Sequence, residues 1–249
     1  MKISVVTAVR NGGDALAQSV QSLCAQTHRD IEHVVQDGGS TDGTLDYLRD
    51  HGHPSMALLS QPDTGIYDAI NMGISRAQGD IVGLLHADDY LAGPDVLARV
   101  TDAFADPDID GIYGDLEYVS REDANRVIRY WKAGEFAQQR LKRGWMPPHP
   151  TLYLRYRVFQ KAGLYDTSYR ISGDYDSMLR WLTQGRVRLA YIPHVMVRMR
   201  IGGTSNKSFA QMLRKSREDY RAIRRHKVGG VGTLVAKNLS KLPQFGARR

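Results

Sequence analysis

Four short apolar runs, at residues 2–9, 31–36, 56–60 and 81–85, alternate with amphipathic segments at 15–26, 43–50 and 66–77. The runs read as strands and the amphipathic segments as helices. Their connections are short, so each strand–helix–strand passage returns to the same sheet, and parallel βαβ units accomplish that. The chain is therefore expected to be α/β, with a mostly parallel sheet flanked by helices. At 249 residues and 42% hydrophobic content it can fill one domain core. No internal repeat or low-complexity stretch interrupts it.

Open sheets of this kind bind ligands at the carboxyl ends of their strands, and each run here ends in polar residues. Thr7, Arg10 and Asn11 lie at or after the end of the first, and Asp37 opens the glycine- and hydroxyl-rich loop after the second. Asp63 follows the third, and His86-Ala87-Asp88-Asp89 the fourth. Adjacent carboxylates repel unless a positive group neutralises them, and a hard cation such as Mg²⁺ or Mn²⁺ holding phosphate oxygens would do so. A solvated turn capping the next helix, near Pro94, is the competing reading of Asp88-Asp89. The loop after Asp37 has neither the Gly-x-Gly-x-x-Gly spacing of dinucleotide folds nor the Gly-Lys-Ser/Thr of a P-loop, so NAD binding is not expected. Its acidity suits hydrogen bonding to a base or ribose better than direct phosphate contact.

Together these segments resemble the family 2 glycosyltransferases. Residues 34–44, VVQDGGSTDGT, are similar to that family's first nucleotide-binding loop, and residues 63–74, 77–80 and 87–89 follow in the family's order. The resemblance spans about residues 2–206. It implies a GT-A fold: a Rossmann-like nucleotide-binding half (1–105) merged with an acceptor-binding half (106–206). It further implies that Thr7, Arg10, Asn11, Asp37 and Asp63 grip the nucleotide. Asp88 would contact the ribose, and Asp89, helped by Asp88, would hold Mg²⁺ or Mn²⁺ on the diphosphate. The family often has Asp or Asn where this chain has His86, which is either a metal ligand or a hydrogen-bonded structural residue.

Beyond residue 105 the pattern loosens. Residues 111–115 read as a strand ending in Asp, 126–131 as an Arg- and aromatic-rich segment, and 135–143 as a basic helix. Three prolines stiffen the loop 145–151, whose Trp145 and His149 suit sugar stacking and polar contact; the resemblance sets His149 on the acceptor side. A helix starts near residue 171 with Asp174 in or before its first turn, where a helix dipole favours an anion. The family more often has Glu-Asp where Gly173-Asp174 stands; its second acid is the general base, so Asp174 takes that role and Asp176 competes for it. Residues 198–205 resemble a flexible segment that closes over the diphosphate.

Charge is concentrated at the end. Residues 207–249 carry 12 Lys/Arg against Glu218 and Asp219, a local net of +10, whereas residues 1–206 net −3. A basic helix over 209–226 packs on the domain, faces anionic lipid or contacts nucleic acid; no base-stacking aromatic module accompanies it, so nucleic acid is not expected. The tail is expected to be removable without loss of donor hydrolysis. The single cysteine, Cys24, fits a reducing compartment and is expected in the core. The first strand begins at residue 2 and no apolar run reaches spanning length, so a cytoplasmic protein, peripheral to the membrane's inner face, is expected. The resemblance then implies inverting transfer from a nucleotide-diphosphate sugar to a glycan or polyprenyl-diphosphate-linked acceptor. The alternative is a non-catalytic nucleotide-sugar-binding or membrane-associated module on the same fold.

Overall fold

The computed structural model describes residues 1–201 and 209–240. Its first half alternates as expected: β1 (Ile3–Val9), α1 (Ala15–Cys24), β2 (Ile31–Asp37), α2 (Thr44–His51), β3 (Met56–Ser60), α3 (Ile66–Arg76) and β4 (Ile81–Leu84). Every residue of β1, β2 and β4 is buried, because helices cover both faces, which is why these strands read as unbroken apolar runs. The four strands are parallel in the order β3-β2-β1-β4. Register sets Val9 opposite Asp37 and Asp37 opposite Ser60, so three strand ends finish together at one edge.

The second half adds β5 (Asp89–Leu91), α4 (Val96–Ala103), β6 (Gly111–Ser120), β7 (Val127–Trp131), α5 (Gln138–Leu141), β8 (Tyr153–Arg155), α6 (Tyr156–Ala162), α7 (Gly173–Thr183) and β9 (Leu189–Ile201). They extend the same sheet as β4-β8-β6-β9-β5, with β7 paired to β6. β8 runs antiparallel to both β4 and β6, whereas β6 and β9 are parallel. The strand foreseen at 111–115 continues to Ser120, and the basic helix foreseen over 135–143 shortens to the four residues of α5.

The chain closes with α8 (Phe209–Arg225) and α9 (Val231–Leu239). These helices are not a detachable addition, which corrects the expectation of a removable tail. Ala222 and Ile223 are fully buried and share one core with Tyr175, Met178 and Trp181 of α7. Asp176 on α7, also fully buried, accepts a hydrogen bond from His226 Nε2 at 2.9 Å. Asp219 on α8 pairs with Lys215 at 2.6 Å and with Lys237 of α9 at 2.7 Å. Glu218 reaches the start of α7, accepting the backbone N–H groups of Arg170, Ile171 and Ser172 at 3.2, 2.9 and 2.9 Å. Helix starts leave such donors unpaired, and a carboxylate both satisfies them and complements the dipole.

Cys24 is exposed, against the expectation that it is a core residue. α1 buries Leu16, Ser19, Val20 and Leu23, and one residue past Leu23 the helix has turned away from that stripe.

Candidate active site

At the joint carboxyl edge of β1, β2 and β3, Asp37 organises the loop that follows it. Its Oδ2 accepts from the Gly39 and Ser40 N–H groups at 3.0 Å each and from Ser60 Oγ at 2.6 Å, and its Oδ1 accepts from Ser40 Oγ. Burial would raise its pKa, but these hydrogen bonds outweigh it and hold the carboxyl below its ordinary range. Asn11, in a left-handed turn at φ 53°, ties β1's end to the same loop: its N–H donates to Ser40 Oγ at 2.8 Å, and its Oδ1 accepts from Thr41 N–H at 2.9 Å. Gly38 lies between Arg10 and Asp63; a Cβ there would meet Asp63 Oδ2 at 2.3 Å.

Arg10, Asn11 and Asp63 are therefore gathered at one edge, with Arg10 and Asn11 exposed and Asp63 half-buried. Thr7 and Asp37 belong to that edge but face inward. The Thr7 hydroxyl lies 3.1 Å from His33 Nε2, and Asp37 is fully buried against its own loop. Burial pushes the His33 imidazole down to about 3, so Thr7 meets a neutral ring. Both side chains thus support this edge from within the chain, in contrast to the exposed Arg10 and Asn11.

At the end of β4, Asp89 N–H donates to the His86 carbonyl at 3.0 Å, and Ser19 Oγ of α1 donates to the same oxygen at 3.2 Å. This turn separates the two carboxylates. Asp88 is exposed, whereas Asp89 starts β5 beneath β9, opposite Met199, and is fully buried. Neither Asp89 oxygen has a hydrogen-bond partner among the described residues, and burial followed by the Asp88 charge raises its pKa well above the carboxylate range. The two carboxylates thus differ in access, with Asp88 open to solvent and Asp89 enclosed. Arg200 on β9 donates to the Asp88 carbonyl at 3.4 Å and to the Ala15 carbonyl at 3.2 Å, which brings a cation to the same turn. Of the segment expected to close over the diphosphate, Arg198 to Ile201 form the end of β9, and 202–205 lie outside the described residues.

Asp174 occupies the first turn of α7, half-buried. Tyr67 of α3 donates to the Ile171 carbonyl at 2.7 Å and approaches Asp174 Oδ1 at 3.5 Å. His149, in a short 3-10 turn, lies 2.8 Å from the Tyr165 hydroxyl, and its ring centroid is 5.9 Å from that of His86. Burial lowers both imidazoles, His149 to about 4, against the opposing pull of Asp174. The charges of Asp88 and Asp174 both oppose that lowering at His86. Trp145, expected at the acceptor face, packs edge-on to Tyr113 and beside Phe136, and its indole N–H donates to the Ala133 carbonyl at 3.0 Å. Asp176 is withdrawn from competition for the base role by its contact with His226.

Tyr165 and Glu218 carry no motif signal pointing to this site, and Tyr67, although it lies in the family-like segment 63–74, shows its role only through its contact with Asp174, 107 residues on. Gly173 is explained by Tyr67, since a Cβ at Gly173 would meet the Tyr67 ring at 2.7 Å. Gly173→Ala should therefore lower stability by about 1–3 kcal/mol through overpacking, although alanine alone would favour a helix. Thermal melts of Gly173→Ala, Tyr67→Ala and the double variant should show strong non-additivity; additive losses would remove the steric explanation.

Comparison with known proteins places this geometry. Residues 4–167 match the family model for glycosyl transferase family 2. An uncharacterized glycosyltransferase of Mycobacterium tuberculosis is 33% identical over 180 residues, covering 72% of this chain and 68% of that protein. A PGL/p-HBAD biosynthesis glycosyltransferase of Mycobacterium bovis is 32% identical over 210 residues, covering 82% of this chain and 78% of its own length. Among solved structures, the mannosyltransferase PcManGT of Pyrobaculum calidifontis, in complex with GDP-Man and Mn²⁺, aligns with a TM-score of 0.69 at 19% identity, over 98% of this chain and 73% of that one. TarS 1–349 of S. aureus in complex with UDP-GlcNAc aligns at 0.70 and 16% identity, over 92% of this chain; the match spans 66% of the TarS chain. At these identities the structural likeness is one of fold.

Proposed function

From the premise that this chain belongs to glycosyl transferase family 2 and is a glycosyltransferase, we propose that it moves a sugar, with inversion, from a nucleotide-diphosphate sugar to a hydroxyl of a glycan or lipid-linked acceptor. The observation that carries this reading is the gathering of Arg10, Asn11 and Asp63 at one strand-end edge, with the exposed Asp88 following β4, the neighbour of β1, at that edge. Asp88 follows β4 at the edge where a diphosphate would lie, and Asp174 stands in the first turn of α7 beside Tyr67.

Arg10, Asn11 and Asp63 would bind the base and ribose above the loop that Asp37 holds rigid. Asp88, with Asp89 behind it, fits a divalent cation: its carboxylate has no hydrogen bond or ion pair among the described residues, and Asp89 is a buried carboxyl with both oxygens unpartnered. Among the described residues no group of three His, Cys, Asp or Glu could enclose a metal unaided, so the donor's phosphate oxygens would complete the set, a usual arrangement for Mg²⁺ and Mn²⁺. Bound there, the ion would offset charge on the departing diphosphate. Asp174 would accept the proton of the acceptor hydroxyl as that oxygen attacks the anomeric carbon from the opposite face. Tyr67 would orient Asp174, and His149, neutral and fixed by Tyr165, would line the acceptor side with Trp145 behind it.

Calorimetry with UDP, GDP and dTDP, each with Mn²⁺ and with EDTA, tests the donor site. At least one diphosphate should bind with metal and weaken with EDTA, and Asp88→Asn should weaken metal-dependent binding by at least about tenfold, since losing even an outer-shell partner costs that much. Metal-independent NAD binding with no diphosphate response would overturn the reading. Nucleotide binding with no transfer or hydrolysis of any sugar nucleotide would assign the chain a non-catalytic binding role.

A further inference from the structure

The outer side of the C-terminal hairpin carries an apolar stripe. On α9 the inward side is mixed: Leu234 packs against the core, Thr233 donates to the Lys142 carbonyl at 2.8 Å, and Lys237, 3% exposed, pairs with Asp219. The side chains turned outward are apolar: Val231, Val235 and Leu239 are 63, 50 and 57% exposed. Spacings of four and eight residues set them on one helix face, so they form a stripe and not scattered exposures. Near the start of α8, Met212 and Leu213 are also open to solvent, at 59 and 43%.

We propose that this stripe docks the enzyme on an anionic membrane surface, with Val231, Val235 and Leu239 entering the headgroup boundary. Charge selects this occupant. The only acids of residues 207–249, Glu218 and Asp219, are both engaged inward, on the start of α7 and on Lys215 and Lys237. Arg214 and Arg217 on α8 remain exposed, as do Lys142 and Arg143 in the loop that α9 packs against, so the surface around the stripe is cationic. An apolar stripe ringed by cations is the pattern of helices that lie in a lipid interface. A second copy of the chain is a poorer fit, because like-charged rims would meet. A nine-residue helix is also only about 13 Å long, too short for its one exposed face to supply the roughly 800 Å² per partner of a stable interface. The loop under α9 leads from Lys142 through Trp145 to His149, so docking would bring the acceptor wall close to the lipid surface. That purpose rests on the lipid-linked acceptor proposed above; the binding itself does not.

Flotation of the full chain with phosphatidylcholine vesicles, with and without phosphatidylglycerol, tests the inference. The chain should float with the anionic vesicles only and release as salt rises. Combined Val231→Ser, Val235→Ser and Leu239→Ser should weaken flotation by at least about tenfold, while donor hydrolysis and melting temperature stay unchanged. Arg214→Gln with Arg217→Gln should weaken binding chiefly at low salt. Flotation unaffected by the serine substitutions, or absent from wild type, would overturn the proposal. So would a dimer in light scattering that the same serine substitutions dissociate. Donor hydrolysis, read separately, reports on the catalytic reading alone.

Discussion

Asp174→Asn should lower sugar transfer, and the slower hydrolysis of the donor by water, by about 10²–10⁴-fold, the usual contribution of a positioned general base. The substitution keeps the shape of the side chain and removes its capacity to take a proton. Among the acids of α7, Asp174 is half-buried, whereas Asp176 is fully buried and bonded to His226. Asp174 is not among the residues proposed to hold the nucleotide, so the nucleotide diphosphate should bind the variant with wild-type affinity. Single-turnover rates and calorimetry on the same preparation separate the two effects. A variant that turns over like wild type would remove Asp174 from the mechanism. Asp176→Asn, by contrast, should act on the melting temperature before it acts on rate.

Removal of residues 209–249 should abolish cooperative folding. The deletion uncovers the core around α7 where Ala222, Ile223 and Val228 are buried. Each large aliphatic side chain there is worth about 1.5–3 kcal/mol. It also strips Asp176 of His226 and Arg225, at 2.9 and 3.7 Å; breaking a buried pair from one side costs about 3–5 kcal/mol. The combined loss is comparable to the roughly 5–15 kcal/mol that holds an ordinary domain together. Circular dichroism should show a broad, low-temperature transition, and nucleotide binding should be lost with it. A sharp melt at the wild-type temperature, with donor hydrolysis intact, would restore the view of the tail as an appendage.

The nucleotide-binding half was legible because strands buried on both faces leave continuous apolar runs and because its chemistry sits next to them in sequence. Asp63, Asp88 and the 34–44 loop are read a few residues at a time. What escaped was set by partners distant in the chain. Thr7 and Asp37 carry the expected identities, but His33 and Ser60 decide which way they face. Asp88 and Asp89 are indistinguishable as letters; the pairing of β5 with β9, more than 100 residues on, buries one and leaves the other open. The far half of β6 resisted reading because Asp115 and Glu117, buried against β9 and held by Tyr191 and Arg198, break the apolar pattern of a core strand. The tail looked separable because a count of charges cannot show that its two acids are the ones turned inward.

Glu218 gives the order of synthesis a meaning. The loops that would hold the nucleotide are complete once β4 and its turn have emerged, and N-terminal portions of a growing chain fold first. The backbone N–H groups leading into α7 stay unpaired until α8 is made, because their acceptor lies 46 to 48 residues downstream. A nascent chain would thus fix the position of its base only among the last steps of synthesis, and a polypeptide released before α8 would lack both that position and the stable fold that holds the nucleotide loops.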